Sequence, residues 1–239
     1  MKKVILLSVI FIGLTTFAQG WFGKEIKGNG NLVHKTRNVG NYDEIVVAGS
    51  FDVNLVSGTE GKLDIKIEDN LLAYLITEVD NGKLKIRWKK GVNINTHKGI
   101  FIEVPFKKID GVSLKGSGDI TSEDTIKSSE FNVSLAGSGD ITLSINAENT
   151  TSKVMGSGNI TIEGESDYLE VLVTGSGGFH GFGFDTNDVD AKVTGSGDIE
   201  IFVDEKLTGT IIGSGDIDYK GNPEIEKTKI VGSGDISKK

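Results

Sequence analysis

Six positions in this chain carry oxygen-bearing side chains at a regular interval. Asp119, Asp140, Asn159, Asp198, Asp216 and Asp235 each follow a Gly-Ser-Gly triplet, and the triplets recur every 18 to 21 residues. Carboxylates in register are the chemistry of calcium binding, because a hard cation takes oxygen ligands. Calcium-binding β-rolls place an acid in every half turn. Here there is one per repeat, with Asn159 and Gly178 interrupting the series. The competing reading is a structural corner, in which glycines supply backbone angles other residues avoid and Asp or Asn bonds nearby backbone. The corner is the expectation adopted, and the column Asp119, Asp140, Asp198, Asp216, Asp235 is kept as the lesser calcium alternative. No cofactor is expected.

Other reactive groups do not converge. His34, His97 and His180 are far apart and lack metal-ligand spacing. No Gly-x-Ser-x-Gly elbow lies between a strand and a helix. Pectin-lyase-type β-helices need clustered acids and a basic residue in a cleft; Lys115, Lys153 and Lys192 sit on the flanks of repeats, and nothing in the sequence makes them converge with acids. Gly28-Asn29-Gly30 lacks the third glycine and following helix of a dinucleotide loop. The chain is therefore expected not to be an enzyme. Phe179, Phe182 and Phe184 depart from their repeat and are possible contact aromatics, although core or interface packing is the more ordinary fate of such a stretch. Asp124-Thr125-Ile126 has the form of a short bacterial O-glycosylation acceptor.

The elements that position these residues follow from periodicity. The triplets begin at Gly116, Gly137, Gly156, Gly175, Gly195, Gly213 and Gly232, and close at Gly118, Gly139, Gly158, Gly177, Gly197, Gly215 and Gly234. Before and after each, apolar residues alternate at strand period, as in Phe131, Val133, Leu135 and then Ile141, Leu143. One near-invariant corner and one variable turn per repeat point to a parallel coil, in which identical corners stack. Residues 111–239 thus read as a β-solenoid. Residues 19–110 read as a β-rich subdomain or cap, continuous with the solenoid or separate from it. Within it, Asp69–Ile76 is expected to be a short helix capped by Asp69 or Asn70, Asn81-Gly82 a hairpin turn, and Gly49–Val53 a degenerate corner.

Residues 1–18 read as a signal peptide, with Lys2-Lys3, an apolar run and small residues before Ala18. No second apolar run of spanning length follows, so no transmembrane span is expected in the mature chain. The protein is expected to be exported to the periplasm, the cell surface or the medium. The chain has no cysteine, which removes disulfides, thiol chemistry and a cysteine-linked lipid anchor. Its formal charge of −8, with both signs interspersed, gives no basic stripe for nucleic acid.

The repeated GSG-plus-acid array, the export signal and the segment around Arg37, Tyr42, Ile45, Val47 and Gly49 resemble the bacterial head GIN domain family, named for a putative auto-transporter adhesin. The resemblance covers essentially the whole mature chain. It implies an all-β, β-helix-like exported protein of the kind common in Bacteroidetes, and it carries no catalytic residues. The chain ends in another GSGDI corner rather than a membrane barrel, so a self-sufficient autotransporter is not expected. Together these features lead to a non-enzymatic cell-envelope adhesion module whose partner is an envelope protein or a glycan. A carbohydrate-binding or carbohydrate-cleaving β-helix is the alternative. Self-association through an exposed last rung is a further expectation.

Overall fold

A computed structural model describes residues 24–239. The signal-peptide reading falls outside them. The chain is an all-β solenoid of about seven turns. From Gly111 onward each turn repeats the same path. A strand such as Asn132–Gly137 leads into the corner, and the chain leaves it on a second extended face beginning at a residue such as Ile141. Successive turns pair in parallel, with Gly116, Gly137, Gly156, Gly175, Gly195, Gly213 and Gly232 aligned rung to rung. The alternation seen in the sequence is the inside–outside alternation of these strands. Phe131, Val133, Leu135, Ile141 and Leu143, with their equivalents in neighbouring turns, are buried. Burial of this ladder, together with backbone bonds between rungs, holds a chain that has no disulfide.

The N-terminal strands pair directly with this coil, out of chain order. Glu44–Ala48 and Asp52–Ser57 form a turn below Gly111–Gly116 and Ile120–Ser122. Lys83–Trp88 and Phe101–Phe106 form a further turn beneath that one. Antiparallel strands then close the end. Leu75–Asp80 pairs with Lys83–Trp88, and Leu32–Asn38 pairs with Lys62–Glu68, which in turn borders Phe101–Phe106. An antiparallel closure covers the sheet edge on which another chain could otherwise pair. Gly49 lies under Gly116 with φ +144°, so Gly49–Val53 is a corner of the stack, with Phe51 below Gly118. Asn81 and Gly82 take positive φ and turn the hairpin, as their sequence predicts.

The expected helix over Asp69–Ile76 does not form. Asp69–Leu71 is a single 3₁₀ turn, and Leu75–Asp80 is a strand. The reason is tertiary. The Arg37 guanidinium donates to the carbonyls of Leu72 and Leu75 at 2.7 Å each, satisfying oxygens that a longer helix would have bonded internally. The Asp69 carboxylate accepts from Asn29 and Asn31 instead of capping a helix.

At the other end, the strand Ile225–Gly232 is exposed along its length. It places Glu226 and Thr228 over Leu207 and Gly209, where the preceding turns carry small or apolar residues, and the next strand, Ile236–Lys238, sets Lys238 over Tyr219. The Tyr219 hydroxyl donates to Glu226 at 2.9 Å.

Candidate functional site

The corner glycines are explained by stacking. The first glycine of each triplet has φ between +116° and +146°, a region that side chains disfavour. The second is closed off by its neighbour. A Cβ on Gly118, Gly139, Gly158, Gly177, Gly197, Gly215 or Gly234 would lie 1.9–2.1 Å from a backbone oxygen of the rung before it. Backbone bonds cross the same gap, with Ser138 N–H and Gly139 N–H both donating to Gly116 O at 3.0 and 3.3 Å.

The aspartates act on the next rung. Asp119 Oδ1 accepts the Asp140 N–H at 3.1 Å, and Asp140 Oδ1 accepts the Asn159 N–H at 2.9 Å. Asp198 accepts from Asp216 at 2.9 Å, and Asp216 from Asp235 at 2.8 Å. A carboxylate acceptor at this position ties successive corners together, and Asn159 adds to the tie by donating its side-chain N–H to Asp140 Oδ1 at 3.1 Å. Among the described residues no group of His, Asp and Glu is arranged to hold a metal ion.

Two outward rows run the length of this face. One is the aspartate row, which continues below Asp119 through Asp52, Phe101 and Lys66 to His34. The other runs Asp218, Glu200, His180, Thr161, Thr142, Thr121, Asn54, Glu103, Asp64, Thr36. From Asp52 and Asn54 upward neither row contains a lysine or arginine. His180 and Glu200 are paired at 2.9 Å.

Where the rows cross onto the antiparallel cap the sheet bends into a groove of about 550 Å³. Phe101 lines it, an exposed aromatic with Lys66 Nζ 5.5 Å from the ring centroid. Asp52, Asp64, Glu103, Asn54, Thr36 and His34 surround it. The Thr36 hydroxyl holds the Asp64 carboxylate at 2.8 Å. Burial pushes the Asp52 carboxyl above its usual range, and the nearby charge of Asp119 adds to that, against one backbone hydrogen bond from Asp119. An exposed ring ringed by carboxylates, an amide and hydroxyls can stack on an apolar ligand face and bond its polar edge.

The first strands of the turns make a second face with three outward rows, one of which runs Glu44, Gly111, Asn132, Thr151, Glu170, Asp190, Thr208, Lys227. The other two, nearer the corner, are Val46, Ser113, Ser134, Lys153, Leu172, Lys192, Thr210, Lys229 and Ala48, Lys115, Ala136, Met155, Thr174, Thr194, Ile212, Val231. Neither contains an acid.

The structure separates several groups that the sequence had put forward together. Phe179 and Phe184 are fully buried, so they are core residues and not contact aromatics. Only Phe182 reaches the surface, where Lys220 Nζ lies 4.2 Å from its ring centroid. A register shift between Thr161 and Glu163 adds one residue to the opposing segment and sets Phe184 beside Gly164. His34 stands in the groove and His180 in the outward row, while His97 gives its backbone N–H to Glu68 at 3.1 Å. Gly28-Asn29-Gly30 is part of a clamp: Glu68 also accepts from Gly30 N–H and Thr96. The groove was missed because its walls are far apart in the chain. The one local sign was Phe101 out of phase with buried Ile100 and Ile102.

A family model described as "Putative auto-transporter adhesin, head GIN domain" matches residues 41–223. The chain belongs to this family. Solved structures agree on the fold of this head GIN protein. A putative adhesin from Bacteroides fragilis superposes with a TM-score of 0.85 at 23% identity, over 90% of this chain and 100% of that one. A protein from Parabacteroides distasonis titled a putative lipid binding protein gives a TM-score of 0.74 at 29% identity, with the same coverage. A putative adhesin from the same species gives 0.73 at 24%, again over 90% and 100%. No curated protein matches the chain.

Proposed function

We propose that this head GIN protein is an exported, non-enzymatic adhesion module whose contact surface is the acidic face ending in the Phe101 groove. The observation that carries this reading is the continuity of two outward rows into a groove built around an exposed aromatic ring. A rod whose interior and corners are committed to stacking has only its outward faces for recognition, and this one joins a long polar strip to a shaped depression. Family membership, with relatives titled putative adhesins, supports the class.

A glycan is the partner the groove favours over a protein. Sugars offer an apolar ring face for Phe101 and hydroxyls for Asp52, Asn54 and Glu103. The test is a glycan array probed with residues 19–239 and with Phe101→Ala. The expected result is a set of neutral glycans whose binding falls by about tenfold in the variant, the loss of one stacking contact. Binding that ignores Phe101→Ala would remove the groove from the contact surface. Release of reducing ends from a bound glycan would replace the non-enzymatic reading with the carbohydrate-cleaving one.

A further inference from the structure

On the face formed by the first strands, the two rows nearest the corner set themselves apart from the rest of an acidic chain, while Glu44, Glu170 and Asp190 are confined to the third. Lys115, Lys153, Lys192 and Lys229 occur on alternate rungs, which spaces them roughly 10 Å apart along the rod. All four are exposed. Among the described residues none of the four has a carboxylate within ion-pair distance. At the cap end, by contrast, Lys85 and Arg87 are neutralised by Asp80 and Glu78. Between and beside the lysines the same two rows show large apolar side chains to solvent: Met155 is 50% exposed, Ile212 44% and Val231 53%, with Leu172 half-buried among them. Scattered apolar residues on a surface need no explanation. A file of them interleaved with unpaired lysines, in two neighbouring rows that hold no acid, does.

We propose that this face docks on an anionic phospholipid surface. The chemistry selects that partner in two steps. The uncompensated lysines require negative charge, and each lysine near an anionic bilayer is worth about 1 kcal/mol. The exposed Met155, Leu172, Ile212 and Val231 require an apolar phase close behind that charge, which a headgroup–acyl boundary supplies and a soluble acidic polymer does not. Two neighbouring rows of one parallel sheet present all of them on the same side, as a bilayer demands. Among the described residues no helix is long and apolar enough to cross a membrane, so attachment of this kind would be peripheral and salt-sensitive. The rod would lie flat, with its corners to one side and the acidic strip turned away from the like-charged lipid. The inference does not depend on the adhesion reading, because it concerns a different face and a different ligand.

The experiment is flotation of residues 19–239 with vesicles of phosphatidylcholine alone and of phosphatidylcholine mixed with phosphatidylglycerol. Binding is expected to the mixed vesicles only, and to be lost at high salt. Lys153→Gln with Lys192→Gln should weaken it by about thirtyfold, two lysines at the energy given above. Met155→Ser with Ile212→Ser should weaken it with no change in charge. Lys90→Gln with Lys98→Gln, on the cap, should leave it unchanged. Melting curves of the variants matching wild type would show that they fold. Failure of the wild type to float with either vesicle would overturn the proposal, as would equal sensitivity to the cap pair. Retention on immobilised alginate without vesicle binding would also overturn it, by assigning the face to an acidic polymer. A blank glycan array together with vesicle binding would sink the adhesion reading and leave this one standing.

Discussion

Gly139→Ala is expected to abolish or severely weaken cooperative folding. The added methyl carbon would sit 1.9 Å from Gly118 O, with the carbonyl carbon and nitrogen of the same glycine at 3.0 and 3.1 Å. No side-chain rotation can relieve a collision with backbone, so the two rungs must part. Parting them breaks the bonds that Ser138 and Gly139 N–H make to Gly116 O. The cost is about 4 kcal/mol or more, beyond the usual range of single substitutions. In a domain of this size that lowers the melting temperature by about 10 °C or more. Ser138→Ala, one residue away, removes only an exposed hydroxyl and should melt within about 2 °C of wild type. Thermal unfolding by circular dichroism checks the pair. Equal melting of Gly139→Ala and wild type would mean that the corners do not stack as closely as described.

The second large effect is expected at Glu68. Its side chain has no exposed surface, and its carboxylate accepts from Gly30 N–H, the Thr96 hydroxyl and His97 N–H. Burial alone raises its pKa. The hydrogen bonds from Thr96, Gly30 and His97, with the charge of His97, outweigh burial and hold it below the ordinary glutamate value. A carboxylate depressed in the folded state contributes stability above its unfolded pKa of about 4.3, and loses it as pH falls through the folded value. Glu68→Ala leaves three donors facing a void and should lower the melting temperature by about 5 °C at neutral pH. The difference from wild type should shrink once acid has protonated Glu68. Hydrogen exchange would show faster exchange first at the amides of Gly30 and His97. Unchanged protection there would remove Glu68 from its role as the clamp of the N-terminal segment.

Much of this architecture was legible because a solenoid writes its geometry into every turn. Residues such as Leu169, Val171 and Val173 carry the same inward phase as Val189, Ala191 and Val193, and the corner glycines mark where each phase begins. What was not legible depended on contacts between distant segments. Asp69–Ile76 has the apolar content and polar start of a helix, but Arg37 occupies its carbonyls and Leu75 pairs with Trp88. The turn formed by Glu44–Ser57 stacks between two later segments, an order that no local pattern announces. Both candidate surfaces share that property. Phe101 joins Asp52 and Lys66 only through cross-strand register, and Lys115, Lys153, Lys192 and Lys229 form a file only once the rungs are aligned. Phe184 lies in the core, the more ordinary fate expected of its stretch, but the extra residue opposite Thr161–Glu163 that sets it there could not be read from the sequence.

The GSGDI repeat is a corner held by backbone stacking and carboxylate-to-backbone bonds, leaving recognition to the outward faces. The most direct test is the melting temperature of residues 19–239 measured in calcium and again in chelator. The same value in both is expected, because Asp119, Asp140, Asp198 and Asp216 already have a partner on the next rung. A melting temperature that rises with calcium and falls with chelator would contradict the claim and make the aspartate column a metal site.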